Sequence, residues 1–551
     1  MTINKYRREN GFTPLEKSRR YATEVVPLAR RSLTGFTLLE LLIVIGILAI
    51  VGVIVMLILN PAELFKQSRD TRRMVDLKNI DSAIRLARTE SIFMGNSNIV
   101  YISVPDPALS GSATSTCPNM GLPPLDPSWK YNCVSQNNLA KNNGTGWIPI
   151  NFSSLGVGSP FSALPIDPEN ATSSWRYYRY ITDLKGKYIA VSGLYSDKYK
   201  PEAAKDGGGD SEKFEVGTNM SLWEESKKYY GLVRENCVGY TNCFTSLYQW
   251  EANYSGIPFG ICASGDLNCV DKIAVAKIDG AWTSPDTTPV VIDGWTTSIN
   301  NYIKVYTTTV ARHDGKWNNG KYRLINSETG RALYTQVSNI KIDGLQILNQ
   351  PTWGYDQNAI DVQGSGEVSN NIIKYAGSNG TDINGIYFAA VASVKIYNNM
   401  VYDTPKGITT WCGGDVLRCY VYNNTVINSS ASGFKPHQWV DTLFINNIVQ
   451  NSAIGYDVWS IHNGQRISSA HPNSDYNISD IAGDAPNATF STSSKIVSFI
   501  STFTKDFHLS SSDIVAKDAG KNLLSNPNLS FSNDIDGQIR GSIWDIGADE
   551  L

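Results

Sequence analysis

Histidine is scarce in this sequence, with five in 551 residues and none beside a cysteine. No cysteine pair has the two-to-four-residue gap of a zinc knuckle, so zinc-finger chemistry lacks its ligand pattern. A basic surplus is missing too, since 48 Lys and Arg face 51 Asp and Glu. Nucleic-acid binding depends on neutralising phosphates, and an acidic body without a basic stripe gives it no footing. The calcium-loop spacing D-x-D-x-D-G does not occur. Long hydrophobic runs are absent with one exception, between residues 36 and 59.

What is present describes a folded, exported chain. At 42% hydrophobic and 18% charged residues, the composition is that of folded material, and the length predicts two or three domains. Charge is uneven: residues 1–35 hold eight Lys/Arg against three Asp/Glu, leaving 40 basic and 48 acidic residues beyond. All eight cysteines follow the apolar run, in four close pairs: Cys117 with Cys133, Cys237 with Cys243, Cys262 with Cys269, and Cys412 with Cys419. Local disulfides in an oxidising compartment suit that pattern, although eight cysteines permit 105 pairings and spacing alone fixes none.

From Phe36 to Leu59 the run is 24 residues long with a single charge, Glu40. That length spans a bilayer with some tilt. A secretory signal has a shorter apolar core followed by a small-residue cleavage site, so this run predicts an anchor. The basic leader favours a cytoplasmic start, against which Lys66, Arg69, Arg72 and Arg73 follow closely on the other side. A carboxylate at the membrane centre costs about 2.5–3.5 kcal/mol, less near an end, which makes an incidental Glu40 a poor explanation. Pro61 should break or kink the helix, and Met74, Leu77, Ile80, Ile84 and Ala87 then recur at helical spacing.

The stretch "TGFTLLELLIVIGILAIVGVIV" resembles the amino-terminal signal of type IV pilins and the pseudopilins of type II secretion. The likeness covers residues 31 to about 90. It implies cleavage by prepilin peptidase after Gly35, methylation of the new terminal amine on Phe36, and an assembly role for Glu40. Partners would be that peptidase, other pilin or pseudopilin subunits, and the inner membrane.

Residues 91 to about 225 mix short β-prone runs with Pro, Gly, Asn and Ser, as in a small sheet packed on a helix. The Asp- and Gly-rich segment 206–223 predicts an exposed turn. Beyond residue 335 the chain repeats: "IDGLQI", "VSNNII", "IYNNMV", "VYNNTV" and "FINNIV" align Leu345, Asn371, Asn399, Asn424 and Asn447 at intervals of 26, 28, 25 and 23 residues. Short strands at such a period imply a solenoid of stacked turns, with asparagines in register able to form amide ladders. A β-propeller needs about 40 residues per blade, so the period counts against it. This half resembles the right-handed parallel β-helix family, with residues 235–252 as an amino-terminal cap and 506–551 as a closing segment.

The expected fold is an N-terminal long α-helix with a small α+β pilin-like headgroup, followed by an all-β right-handed parallel β-helix solenoid. Its expected divisions are a leader at 1–35, a transmembrane or filament helix at 36–59, an amphipathic continuation at 60–95, the headgroup at 96–225 and the β-helix at 226–551. The pectin hydrolases of the β-helix family carry paired carboxylates in N-T-D, D-D, G-H-G and R-I-K strings, none of which occurs here. A lyase base assembled from separate turns remains open. Trp411, Lys435, His437, Trp439, Trp459, His462 and Arg466 form the candidate glycan surface, with aromatic faces for sugar rings and His or Lys as a base. Asp534, Asp536 and Asp545 predict turn and capping residues, and no cofactor is expected, calcium being open without a loop motif. The functional expectation is a minor pilus or pseudopilus component displaying an adhesin or glycan-binding β-helix. A tethered polysaccharide lyase or hydrolase, and a structural surface protein, are the alternatives.

Overall fold

The computed structural model describes residues 37–551, apart from short segments at 112, 119, 124, 126–127, 173–175, 256–261, 354–355, 378–382, 391–392, 413–418, 438–441, 463–464 and 487–488. Side chains of 53–59 and 460–467 also lie outside the described set. Two compact units result, Met1–Leu64 and Phe65–Leu551.

In the first unit, helix α1 runs Leu38–Leu59 and opens with a capping box. Glu40 N donates to Thr37 Oγ1 at 3.2 Å while Glu40 Oε2 accepts from Thr37 N at 2.9 Å, satisfying two of the amides that a helix start leaves orphaned. Leu38 through Val51 expose apolar side chains, among them Leu38 at 81% and Ile50 at 64%. Among the described residues no helix is long and apolar enough to cross a membrane; the described side chains of α1 end at Gly52 and resume at Asn60. Asn60 is left-handed, and helix α2 (Pro61–Thr89) starts on the proline, whose missing N–H costs nothing at a first helical position.

The second unit begins within α2. Leu77, Ile80, Ala83, Ile84 and Ala87 form its buried stripe and pack with Tyr178, Tyr180, Tyr188 and Ala190. Those tyrosines sit on a six-stranded mixed sheet whose order is Thr114–Ser115, Lys130–Val134, Ile99–Ile102, Arg179–Thr182, Tyr188–Gly193, Lys213–Gly217. Arg73 is buried against Asp70 at 2.9 Å and Asp167 at 2.7 Å, so its charge is paired on both sides. The expected exposed turn at 206–223 is corrected: Asp210 is buried, bonded to Trp223 Nε1 at 2.8 Å and Lys227 Nζ at 3.0 Å. Lys227 is itself buried and is paired on two sides, by Asp210 and by Asp271 at 2.9 Å.

The remainder is a parallel β-solenoid of about seven turns. Its three faces are parallel sheets, of six, nine and seven strands. One representative turn runs Val394–Tyr397, Met400–Tyr402, Lys406–Cys412, each strand paired in register with the next turn. Between the first two strands of four successive turns stands the Asn-Asn pair seen in the sequence. The first member (Asn370, Asn398, Asn423, Asn446) has positive φ, between 50° and 57°, where asparagine is tolerated and β-branched residues are not. The second points inward: Asn371, Asn399, Asn424 and Asn447 each pass Nδ2 to the next Oδ1 at 3.0 Å, ending on Asn477.

The first turn and one flank are covered. The helix Leu247–Tyr254, capped by Ser246, buries Leu247, Trp250 and Tyr254 over the first turn, within the segment expected as a cap. Gly231 is required there, since a Cβ would overlap the Trp250 ring. All four expected disulfides are formed, Cys117–Cys133, Cys237–Cys243, Cys262–Cys269 and Cys412–Cys419. The closing segment does not close an end. It runs along the flank and bonds the outward Asn column, with Asn398 Nδ2 on Asn533 O at 2.6 Å and Asn446 Nδ2 on Lys521 O at 2.8 Å.

Candidate functional site

The third face supplies the exposed aromatics. Strand Lys406–Cys412 lies beside Ser432–Pro436, with Thr410 opposite Pro436. Trp411 and His437, one residue further along each, therefore meet: their rings stack at 4.3 Å and 9°. Trp411 stays 47% exposed, so this is an outward aromatic surface and not core. On the next turn Phe434 bridges Tyr456. Trp459 lies three residues beyond Tyr456, as His437 lies three beyond Phe434, and is 44% exposed. Lys435 is held by Asp457 at 2.8 Å.

The sequence-predicted surface thus comes together at Trp411 and His437, with Lys435 and Trp459 on the same and the next turn. Trp439 lies outside the described residues. For His462 and Arg466 the strand backbone is described, in the hairpin Trp459–His462 with Gln465–Ser468, but their side chains lie outside the described set. Gly35 and Phe36 likewise precede the described residues, and Glu40 is engaged in the capping box of α1.

A second concavity was not legible in the sequence. Two adjoining cavities of about 410 and 420 Å³ run along the nine-stranded face and share Ile299, Tyr302, Lys341 and Glu367. Burial opposes charge on Glu224, yet the Tyr302 hydroxyl, at 2.5 Å, and lysines 228, 341 and 304 hold its carboxyl below the ordinary range. Burial and Glu224 together push the Tyr302 hydroxyl up. Lys227 with Asp210, at 3.0 Å, and Lys341 with Glu367, at 3.9 Å, are ion pairs of the lining, while burial pushes the Glu215 carboxyl, which accepts from Asp210 N, up to about 8.

Two histidines outside the predicted surface are the more tightly bound ones. His313 is buried, with Nε2 2.8 Å from Asn370 O. His508 Nδ1 lies 2.5 Å from Asp506 Oδ1. Alternate residues of a strand share a face, so the D-F-H string at 506–508 was the signal available for that pair. Asp534 and Asp545 do make turn and capping bonds, to Gly537 N and Gln538 N and to Asp518 N and Leu551 N. Asp536 accepts from Gln538 N at 3.4 Å and from Gln538 Nε2 at 3.2 Å, and its carboxylate also converges with His508 and Asp549.

These features define a parallel β-solenoid protein with a stacked aromatic pair on one face. At the other end of the chain, residues 30–56 match the family model described as the prokaryotic N-terminal methylation motif. The chain carries a prepilin signal, which implies processing by prepilin peptidase, assembly with pilin subunits, and a membrane-anchored precursor bound for the surface. No curated protein and no solved structure matches the chain.

Proposed function

We propose that the protein is a minor pilus or pseudopilus component whose β-solenoid is a glycan-binding adhesive head. The precursor would span the inner membrane through α1, be cut between Gly35 and Phe36, and be methylated on Phe36. What supports the anchor is the exposed apolar surface of α1 from Leu38 to Val51, which water would not tolerate on an isolated helix. The sheet built on α2 would serve as the pilin-like headgroup, and the solenoid would take the right hand usual for parallel crossovers. A head this large beside one filament helix suits a tip or minor subunit better than a repeating one.

The observation that carries the binding function is the outward Trp411, 47% exposed, backed by the half-buried His437 ring stacked 9° from parallel on it. Flat rings on a rigid strand present a preformed platform to a sugar ring, so little ordering is needed on binding. The test is a glycan panel offered to residues 65–551. Binding to a subset of glycans is expected, weakened about tenfold by Trp411→Ala, a loss of roughly 1.4 kcal/mol. Release of shortened products would convert the assignment to a tethered lyase or hydrolase. Neither binding nor product would leave a structural surface protein.

A further inference from the structure

We propose that the lysine column of the nine-stranded face binds an acidic glycan that carries a carboxylate on every second sugar, laid along the solenoid axis across successive strands. The Trp411 platform belongs to the six-stranded face, so this second site does not rest on it.

Lys304, Lys341, Glu367 and Lys395 hold the same outward position on four successive strands, paired in register as Lys304 with Lys341, Lys341 with Glu367, and Glu367 with Lys395. Neighbouring strands lie about 4.8 Å apart, so the backbone positions of Lys341 and Lys395 are separated by about 9.6 Å. Two sugars of an extended chain rise by a similar distance, which brings a carboxylate on every second sugar to each lysine in turn.

A ladder that served only to hold strands together would alternate its signs. Here Lys304 stands directly opposite Lys341, and like charges so placed destabilise a sheet. Three ammonium groups share one carboxylate within the column, since Glu367 meets Lys341 and Lys395 at 3.9 Å each. Other carboxylates nearby are engaged: Glu224 accepts from the Tyr302 hydroxyl at 2.5 Å, Glu225 meets Lys228 at 2.5 Å, and Asp343 meets Arg312 at 2.9 Å. Burial, joined by Lys228 and Lys341, holds the Lys304 ammonium below the ordinary lysine range against the pull of Asp343. An anion along the column would relieve that repulsion.

The groove has the matching shape. Lys341, Glu367 and Lys395 line its 420 Å³ cavity, where Ser393 and Asn528 add a hydroxyl and an amide and Ile299, 76% exposed, gives an apolar edge. Long pairs between partly exposed side chains are worth little, so Lys341 and Lys395 can exchange Glu367 for a ligand carboxylate. In the adjoining 410 Å³ cavity Lys227 is paired with Asp210, and Glu215, titrating at about 8, is mostly uncharged at neutral pH, which suits a neutral sugar. A nucleic-acid strand carries a charge about every 3.4 Å, too dense for lysines at this spacing.

The full-length protein in detergent is titrated with a fluorescent hyaluronan octasaccharide, with its carboxyl-reduced neutral counterpart, and with a poly-glutamate peptide of equal charge, all read by anisotropy. The acidic octasaccharide should bind, more weakly as salt rises, and should lose about tenfold or more on carboxyl reduction and in the double variant Lys341→Gln with Lys395→Gln. Glu367→Gln removes the competing carboxylate and should tighten binding about threefold, whereas a merely structural ladder would lose stability and gain no affinity. Trp411→Ala should leave this binding unchanged. Should the double variant misfold, the gain in Glu367→Gln decides. The site is overturned if the acidic octasaccharide does not bind, if the neutral one or poly-glutamate binds as well, if the folded double variant keeps its affinity, or if Glu367→Gln fails to tighten it. Loss in Trp411→Ala alone would move the binding to the other face and overturn it too.

Discussion

Asn399 donates from Nδ2 to Oδ1 of Asn424 at 3.0 Å, and Asn424 repeats the contact to Asn447 at the same distance. Asn424 Oδ1 also accepts from Asn399 N at 3.0 Å, and Asn424 Nδ2 reaches Ile396 O at 2.9 Å. One amide thus satisfies groups on both neighbouring turns. Asn424→Ala leaves a buried amide N–H and a buried carbonyl unpaired, and should destabilise the solenoid by about 3 kcal/mol. Asn424→Asp keeps the shape but removes the donors and adds a charge, and should cost at least as much. Urea unfolding of residues 65–551 checks both: the midpoint should fall with an unchanged slope.

Two buried titratable groups, Glu251 in the cap helix and His313 beyond the strand Ile303–Thr307, oppose each other with pH. Burial pushes His313 down to about 4. Its unfolded value is near 6.5, so its stabilising contribution is full above that pH and is lost as pH falls toward 4. Burial pushes Glu251 up to about 7, against the bonds it accepts from Asp293 N at 3.1 Å and Trp295 Nε1 at 3.0 Å. Its contribution is full below about 4.5 and is lost as pH rises through 7. Each is worth at most about 3 kcal/mol, and across pH 4.5–6.5 the two slopes have opposite sign. Relative to the parent, Glu251→Gln should gain stability as pH rises and His313→Gln should gain as pH falls. Denaturant midpoints at pH 4.5 and 6.5 measure both; parallel pH profiles for all three proteins would refute the assignment.

The solenoid is legible at the four Asn-Asn pairs from Asn370 to Asn447, because the two positions need different things: a left-handed backbone at the first, an inward amide at the second. Where Tyr476 takes the left-handed position before Asn477, the string is lost although the ladder continues. The early turns, such as Ile273–Ile278 and Ile303–Thr307, carry no Asn pair after their first strand, so the repeat signal is missing there. Residue type places Trp411 and His437 in one candidate surface, but their stacking depends on the 26-residue offset between their strands. Asp206 and Asp210 misled because "DGGGD" has turn composition, while the partners that draw the two side chains in, Glu215 N and Lys227, lie beyond it.

Glu40 separates two roles that one substitution would confuse. Its carboxylate caps α1 through Thr37 N and Thr37 Oγ1, both at 2.9 Å. The proposed filament role instead pairs its charge with the terminal amine of a neighbouring subunit, which would become available after cleavage at Gly35 and would offset the cost of burying the carboxylate. Glu40→Leu removes both functions, whereas Glu40→Gln keeps an acceptor for the capping box and removes the charge. If pairing governs assembly, both variants should be processed at Gly35 and both should be depleted at least tenfold from sheared filaments. If capping governs it, Glu40→Gln should assemble like the parent and only Glu40→Leu should be lost. Gly35→Ala isolates the preceding step: the uncleaved precursor should accumulate in the membrane with its 35-residue leader attached, visible as a heavier band and as the absence of methylated Phe36 by mass spectrometry.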